Sequence, residues 1–232
     1  MNQSGLAVLG TGTGVGKTVV TAGLVGWLRE RNRSAVGIKP AQTGFPPDDD
    51  ATFVKKAAGE ESAGVCLHRL EPALAPAIAA GEEGVDLSYE EVLRGCEREL
   101  ARADPGIVEG IGGLRVPLAD GQEVVDLIAD LGLPAVVVAR SGLGTLNHSA
   151  LTVEALERRG ITVSGIILND FAGATLAERT NPDALTEMVH TPVHVLPTFG
   201  FESPAGVVHP IRNHLPLSIL PGEEDVGQEY SS

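Results

Sequence analysis

A chain of 232 residues in which 43% of side chains are hydrophobic is long and apolar enough to bury the core of one α/β domain, which excludes an intrinsically disordered chain. Its 31 acidic residues against 17 basic ones leave a net charge of −14, a surface that repels nucleic acid and anionic membranes, so neither is expected as a partner. Two cysteines, Cys66 and Cys96, exclude a disulfide framework and a cysteine-rich metal centre and read as buried or half-buried thiols. The basic residues include only four lysines: Lys17, Lys39, Lys55 and Lys56. An acidic, lysine-poor surface suits a cytosol rich in potassium salt, where screening weakens self-repulsion, and points to a halophilic source; acidic drift for solubility is the alternative. No apolar run reaches the roughly 18 residues of a membrane span. The start, Met1-Asn2-Gln3-Ser4, has no basic leader, so a cytoplasmic protein is expected.

In chain order, Leu6-Ala7-Val8-Leu9 is a short apolar strand running into a Gly/Thr-rich turn. Residues 18–31 carry helical periodicity, with Val20, Leu24 and Leu28 on one face. A second strand, Ala35-Val36-Gly37-Ile38, ends at Lys39-Pro40, and helical segments are expected at 50–58 and 88–103. Gly106-Ile107-Val108 is a strand ending on Glu109; further strands fall at 135–138, 163–168 and 193–196. These runs are continuously apolar, as strands buried on both faces are. Strand–helix alternation of this kind predicts a single-domain α/β fold, doubly wound around a mostly parallel sheet, over residues 1–221. The acidic tail, 222–232, is expected to be disordered.

Ligands of an open parallel sheet bind beyond the carboxyl ends of its strands, so the residues just after each strand carry the functional signal. Gly10-Thr11-Gly12-Thr13-Gly14-Val15-Gly16-Lys17-Thr18 lies between the first strand and first helix. Its glycines let backbone N–H groups turn inward around phosphate oxygens, and the helix N-terminus adds partial positive charge. Lys17 reaches the β- and γ-phosphates and the Thr18 hydroxyl suits magnesium, although Thr11 stands where the strict phosphate-loop pattern has its first glycine. Lys39, leaving the second strand, either neutralises charge on an acidic or phosphorylated substrate or is a surface lysine. Asp48-Asp49-Asp50-Ala51 opens the next helix and serves as cap or ligand. Glu109, followed by Gly110-Ile111-Gly112-Gly113, suits a magnesium ligand, and Thr18, Asp50 and Glu109 together supply a hard oxygen set. The Gly142–His148 turn offers backbone N–H groups to a carboxylate. Asn169, before Asp170, has an amide able to read an adenine edge. His148 reads as a packing or capping residue.

Taken in order over roughly residues 5–200, these segments resemble the dethiobiotin synthetase family. The carrying pieces are Gly10-Thr11-x-Thr13-x-Val15-Gly16-Lys17-Thr18, Lys39-Pro40-x-x-Thr43-Gly44, Asp50-Ala51, Val108-Glu109-Gly110-x-Gly112-Gly113 with Pro117-Leu118, Gly144-Thr145-Leu146-Asn147-His148, and Asn169-Asp170. The resemblance implies a homodimer with phosphate-loop NTPase architecture that makes dethiobiotin, ADP and phosphate from 7,8-diaminononanoate, CO2 and ATP. It implies that Lys17 and Lys39 stabilise the carbamate and the transferring phosphoryl group. Gly12, Thr13, Gly14, Val15, Gly16, Lys17 and Thr18 would hold the phosphates of ATP, with Asn169 and Pro197 at the adenine. Thr18, Asp50 and Glu109 would hold Mg2+. Thr43 would contact the substrate near its reacting nitrogens, and Gly144, Thr145, Leu146 and Asn147 would bind its carboxylate across the dimer interface. Two departures stand out: Gly12 where the family usually has an acidic residue, and Ile111 where it usually has alanine.

Two other readings compete. An amide synthetase of the same superfamily normally needs a glutaminase domain with a cysteine nucleophile, for which no residues remain. A ParA/MinD-like switch ATPase carries an extra lysine early in the phosphate loop, and none lies between Gly10 and Gly16.

Overall fold

The computed structural model describes residues 5–47, 49–220 and 222–223. Asp48 and most of the acidic tail, 224–232, lie outside the described residues, and so does the expectation of disorder there. Seven strands form one parallel sheet in the order β3-β2-β4-β1-β7-β8-β9. They are β1 (Gly5–Gly10), β2 (Val36–Thr43), β3 (Gly64–Leu70), β4 (Gly106–Glu109), β7 (Ala135–Arg140), β8 (Val163–Phe171) and β9 (Val193–Pro197). A small antiparallel hairpin, β5 (Pro117–Ala119) with β6 (Gln122–Glu123), stands apart. The doubly wound expectation is met.

The continuous apolar runs have the predicted cause. Leu6 and Val8 point into one core and Ala7 and Leu9 into the other, all essentially without solvent exposure. One core is closed by α1 (Lys17–Glu30), α2 (Asp50–Ala58) and α8 (Val208–His214); Gly23 and Gly26 of α1 leave room for Ile211 and Val208 of α8. The opposite face carries α3 (Pro76–Glu83), α4 (Tyr89–Leu100), α5 (Val124–Leu131), α6 (Thr145–Glu157) and α7 (Leu176–Val189).

Several elements had no reading in the sequence. Strand β3 is an edge strand of mixed burial carrying His68 and Arg69, so it lacks the continuous apolar signature. Helix α3 is an alanine-rich stretch with Pro76 at its start and Gly84 at its end, and α7 contains Pro182, ordinarily a breaker. Strand β2 runs past its expected end at Ile38, through Pro40 to Thr43. Pairing with β4 stops at Ile38, so Pro40 interrupts no ladder on that side.

The chain turns outward in both directions from β1, which pairs with β4 on one side and β7 on the other. That reversal opens a crevice above the carboxyl end of β1, where the glycine-rich loop begins.

Candidate functional site

Register brings the first charged groups together. Ile38 of β2 pairs with Val108 of β4, so the next residues, Lys39 and Glu109, emerge side by side at the sheet edge. Lys39 Nζ donates to Glu109 Oε1 at 2.7 Å and lies 2.5 Å from Asp50 Oδ2. Thr18 Oγ1 donates to the same Glu109 oxygen at 2.8 Å. Asp50 is free for this because Asp49 takes the capping role, accepting from Thr52 N at 3.0 Å. Cap and site-facing carboxylate, alternatives in the sequence, are two adjacent residues.

Burial makes this cluster electrostatically tense. Lys39 is 6% exposed and Glu109 2%. Burial pulls Lys39 down, but Glu109 and Asp50 outweigh it and leave the ammonium raised. For Asp50 burial pushes upward, and Lys39 reverses the sign, so its carboxyl lies below the usual range. Glu109 is raised by burial, with Asp50 adding to the shift and Lys39 opposing it. Lys17 is lowered to about 8 by burial and then by Lys39. Its Nζ is parked on the carbonyls of Gly12 (2.9 Å) and Gly112 (3.0 Å), bridging the phosphate loop to the turn after β4.

The donor set fits a hard divalent cation. Two carboxylates and a hydroxyl converge, and the Lys39 ammonium between Asp50 and Glu109 already marks a point where positive charge is held. Among the described residues no three His, Cys, Asp or Glu side chains converge. The remaining ligands of a magnesium ion would therefore be phosphate oxygens and water, as that ion prefers.

Two cavities flank the loop. One, of about 650 Å³, is lined both by the polar cluster Thr18, Lys39, Asp50 and Glu109 and by apolar Leu74, Ile111 and Val116. Thr13, Gly14, Gly16, Lys17 and Thr43 also line it. The second, of about 720 Å³, lies over the ends of β7, β8 and β9 and is lined by Gly14, Val15, Gly16, Asn169 and Pro197. Gly12 lines neither; its carbonyl holds Lys17, and a Cβ built on it meets nothing within 4 Å.

Asn169 is engaged within the chain itself. Its Nδ2 donates to the Val15 carbonyl at 2.9 Å, bracing the loop from 154 residues away. Gly16 caps α1 at φ +102° with the Asn169 amide packed on it, so a side chain there would be strained by the backbone and would have to displace that amide. Sequence reasoning had no signal for this contact. It also passed over Gln42, whose Oε1 accepts from Asp50 N at 3.3 Å.

The turn at 144–147 behaves differently. Gly144, Thr145, Leu146 and Asn147 line neither cavity flanking the loop of their own chain. Thr145 is buried with its hydroxyl 3.3 Å from Ser149 Oγ, Leu146 packs on the core, and Asn147 is exposed. His148 lies against the Gly144 turn and also lines neither. Cys96 is buried and Cys66 half-buried, as expected.

Comparison with known proteins gives a consistent answer. A family model described as an AAA domain matches residues 4–197. The ATP-dependent dethiobiotin synthetase BioD of Haloferax mediterranei is 58% identical over 211 residues, covering 91% of each chain. The protein of that name from Anaeromyxobacter dehalogenans is 41% identical over 97% of this chain and 92% of its own. That from Bacillus subtilis subsp. natto is 35% identical over 93% and 96%. Among solved structures, a ParA family ATPase from Chlorobium tepidum superposes with TM-score 0.60 at 13% identity, covering 91% of this chain and 90% of its own. The cell division ATPase MinD of Pyrococcus furiosus gives 0.53 at 18%, over 90% and 99%. At those identities the likeness shows the fold alone.

Proposed function

Because the chain belongs to the ATP-dependent dethiobiotin synthetase family, we propose that the two cavities flanking its phosphate loop hold the diamine and the nucleotide of that reaction. The activity is an ATP-dependent cyclo-ligation of biotin biosynthesis: 7,8-diaminononanoate, CO2 and ATP give dethiobiotin, ADP and phosphate.

The observation that carries the residue assignment is Lys39, buried between Asp50 and Glu109 beside Thr18, in a cavity that apolar Leu74, Ile111 and Val116 also line. An alkyl diamine combines the same polar and apolar character. Its chain lies along Leu74, Ile111 and Val116, and its amines face Thr43 and the two lysines. One amine captures CO2 as a carbamate, ATP phosphorylates the carbamate oxygen, and the second amine closes the five-membered ring with loss of phosphate. Holding both amines on one wall makes the closure intramolecular. Charge spreads over phosphoryl oxygens during transfer, so Lys17 and Lys39 act as electrostatic stabilisers and no protein nucleophile is needed. Thr18, Asp50 and Glu109 would hold Mg2+, which supplies neutralisation of phosphate charge. Gly12 to Thr18 cradle the phosphates, and Asn169 and Pro197 bound the adenine.

The proposal extends to a homodimer. Gly144, Thr145, Leu146 and Asn147 sit at the start of α6 and line neither cavity flanking the loop of their own chain, which suits service to a partner's substrate carboxylate. A cytoplasmic setting rich in potassium salt fits the net charge of −14. No helix among the described residues is long and apolar enough to cross a membrane.

The test is ADP release by purified protein in high potassium chloride with magnesium and bicarbonate, with and without 7,8-diaminononanoate. Diamine-dependent ADP, with a product heavier by one carbonyl and lighter by two hydrogens, supports the assignment. ATP hydrolysis indifferent to the diamine overturns it.

A further inference from the structure

Most arginines on this acidic surface are taken up by neighbours: Arg29 meets Glu60, Arg33 meets Asp104, Arg69 meets Asp49 and Arg159 meets Asp126. Among the described residues, the guanidinium groups of Arg31, Arg98 and Arg140 have no carboxylate or carbonyl partner. Of these three, only Arg140 lines a cavity beside the phosphate loop.

Arg140 is the last residue of β7 and is exposed, paired in register with Asn169. Its Nη2 lies 3.6 Å from the position a Cβ would take on Gly14, at the outer flank of the loop. Two carboxylates line the same cavity, and both are engaged elsewhere. Asp170 accepts from Thr198 Oγ1 at 2.8 Å. Glu178 accepts from Ser141 Oγ at 3.2 Å and from Thr175 N at 2.9 Å. The cavity rim therefore presents one uncommitted positive charge in a chain with nearly twice as many acids as bases. Lys17 is held by the Gly12 and Gly112 carbonyls and lines the other cavity beside the loop, so the two cations reach the loop from different cavities. The chemistry that satisfies a free guanidinium at this point is an anion with several oxygens, and the cavity beside it is the one read as the nucleotide site.

We propose that Arg140 grips the phosphate chain of the nucleotide from the outer flank of the loop, an affinity residue and not a catalytic one; this rests on that cavity being the nucleotide site. It gives the site a second cationic anchor that no motif in the phosphate loop supplies.

The test is calorimetric titration of the full chain and of Arg140→Met with ATP, ADP and adenosine, in magnesium and without diamine. Methionine keeps the aliphatic stem and removes the charge. The expected result is a rise of about tenfold in Kd for ATP and ADP, the loss of one charge-assisted hydrogen bond, with adenosine unchanged and partial recovery in Arg140→Lys. Unchanged ATP affinity in Arg140→Met overturns the proposal. Equal loss for adenosine also overturns it, since Arg140 would then contact base or ribose. Should Arg140→Met not fold, Arg140→Gln is read by the same two outcomes. Binding is measured without the diamine, so failure of diamine-dependent turnover would count against the proposed reaction and leave this result standing.

Discussion

Gly16 and Asn169 offer a sharp check on how the loop is held. Alanine at Gly16 would put a Cβ 2.0 Å from Asn169 Nδ2, on a residue with φ +102°. Forcing a left-handed conformation on a residue with a Cβ costs about 1–2 kcal/mol. The Asn169 amide is the end of a flexible side chain and can swing away, but it then loses its 2.9 Å bond to the Val15 carbonyl, about 1 kcal/mol more. The sum, about 2–3 kcal/mol against the phosphate-cradling loop, weakens polyphosphate binding about 30- to 150-fold. Asn169→Ala alone loses only the bond, about fivefold. Because Gly16→Ala has already broken that bond, adding Asn169→Ala should cost nothing further, a coupling of about −1 kcal/mol. The assay is calorimetric titration of the wild type, both single variants and the double variant with inorganic triphosphate and magnesium. Triphosphate carries no adenine, so any base contact of Asn169 drops out. Additive losses in the double variant would refute the steric link between the two residues.

Other expectations follow from the same geometry. Lys39→Gln should keep ATP binding and abolish product, and normal turnover by it would remove Lys39 from the catalytic set. Without its ammonium Glu109 and Asp50 face each other unpaired, so the variant should lose about 3 kcal/mol of stability; magnesium should restore part of this in thermal unfolding if those carboxylates hold the ion. Gly12→Asp should fold with stability within about 0.5 kcal/mol of wild type, since a Cβ there meets nothing within 4 Å; a large fall in melting temperature would contradict this. His68 is held below its ordinary 6.5 by burial, with Glu91 opposing. The unfolded chain therefore binds that proton first as pH falls, and stability declines on the acid side of 6.5. Urea midpoints at pH 7 and about pH 5 should show a smaller acid-side loss in His68→Gln than in wild type.

What the sequence by itself determined is whatever depends on neighbours along the chain. Val8 and Ile107 lie in apolar runs that only a strand buried on both faces accommodates. Gly16-Lys17-Thr18 directly after such a strand is a phosphate loop whatever follows it, because backbone N–H groups and a helix N-terminus suffice to hold the anion. Lys39 and Glu109 were legible as candidate site residues because a parallel sheet places its ligands beyond its strand ends, and the structure brings the two into contact. Tertiary structure alone decided the rest. Asp49 and Asp50 are equivalent on paper, and only packing of α2 against β2 and β3 makes one a cap and turns the other onto Lys39. Strand β3 was invisible because an edge strand needs no continuous apolar face. The bonds that hold the site shut, Lys39 to Glu109, Thr18 to Glu109, Lys17 to Gly112 and Asn169 to Val15, span 70, 91, 95 and 154 residues. No local pattern reports such a bond, because its geometry is set by sheet register and not by spacing along the chain.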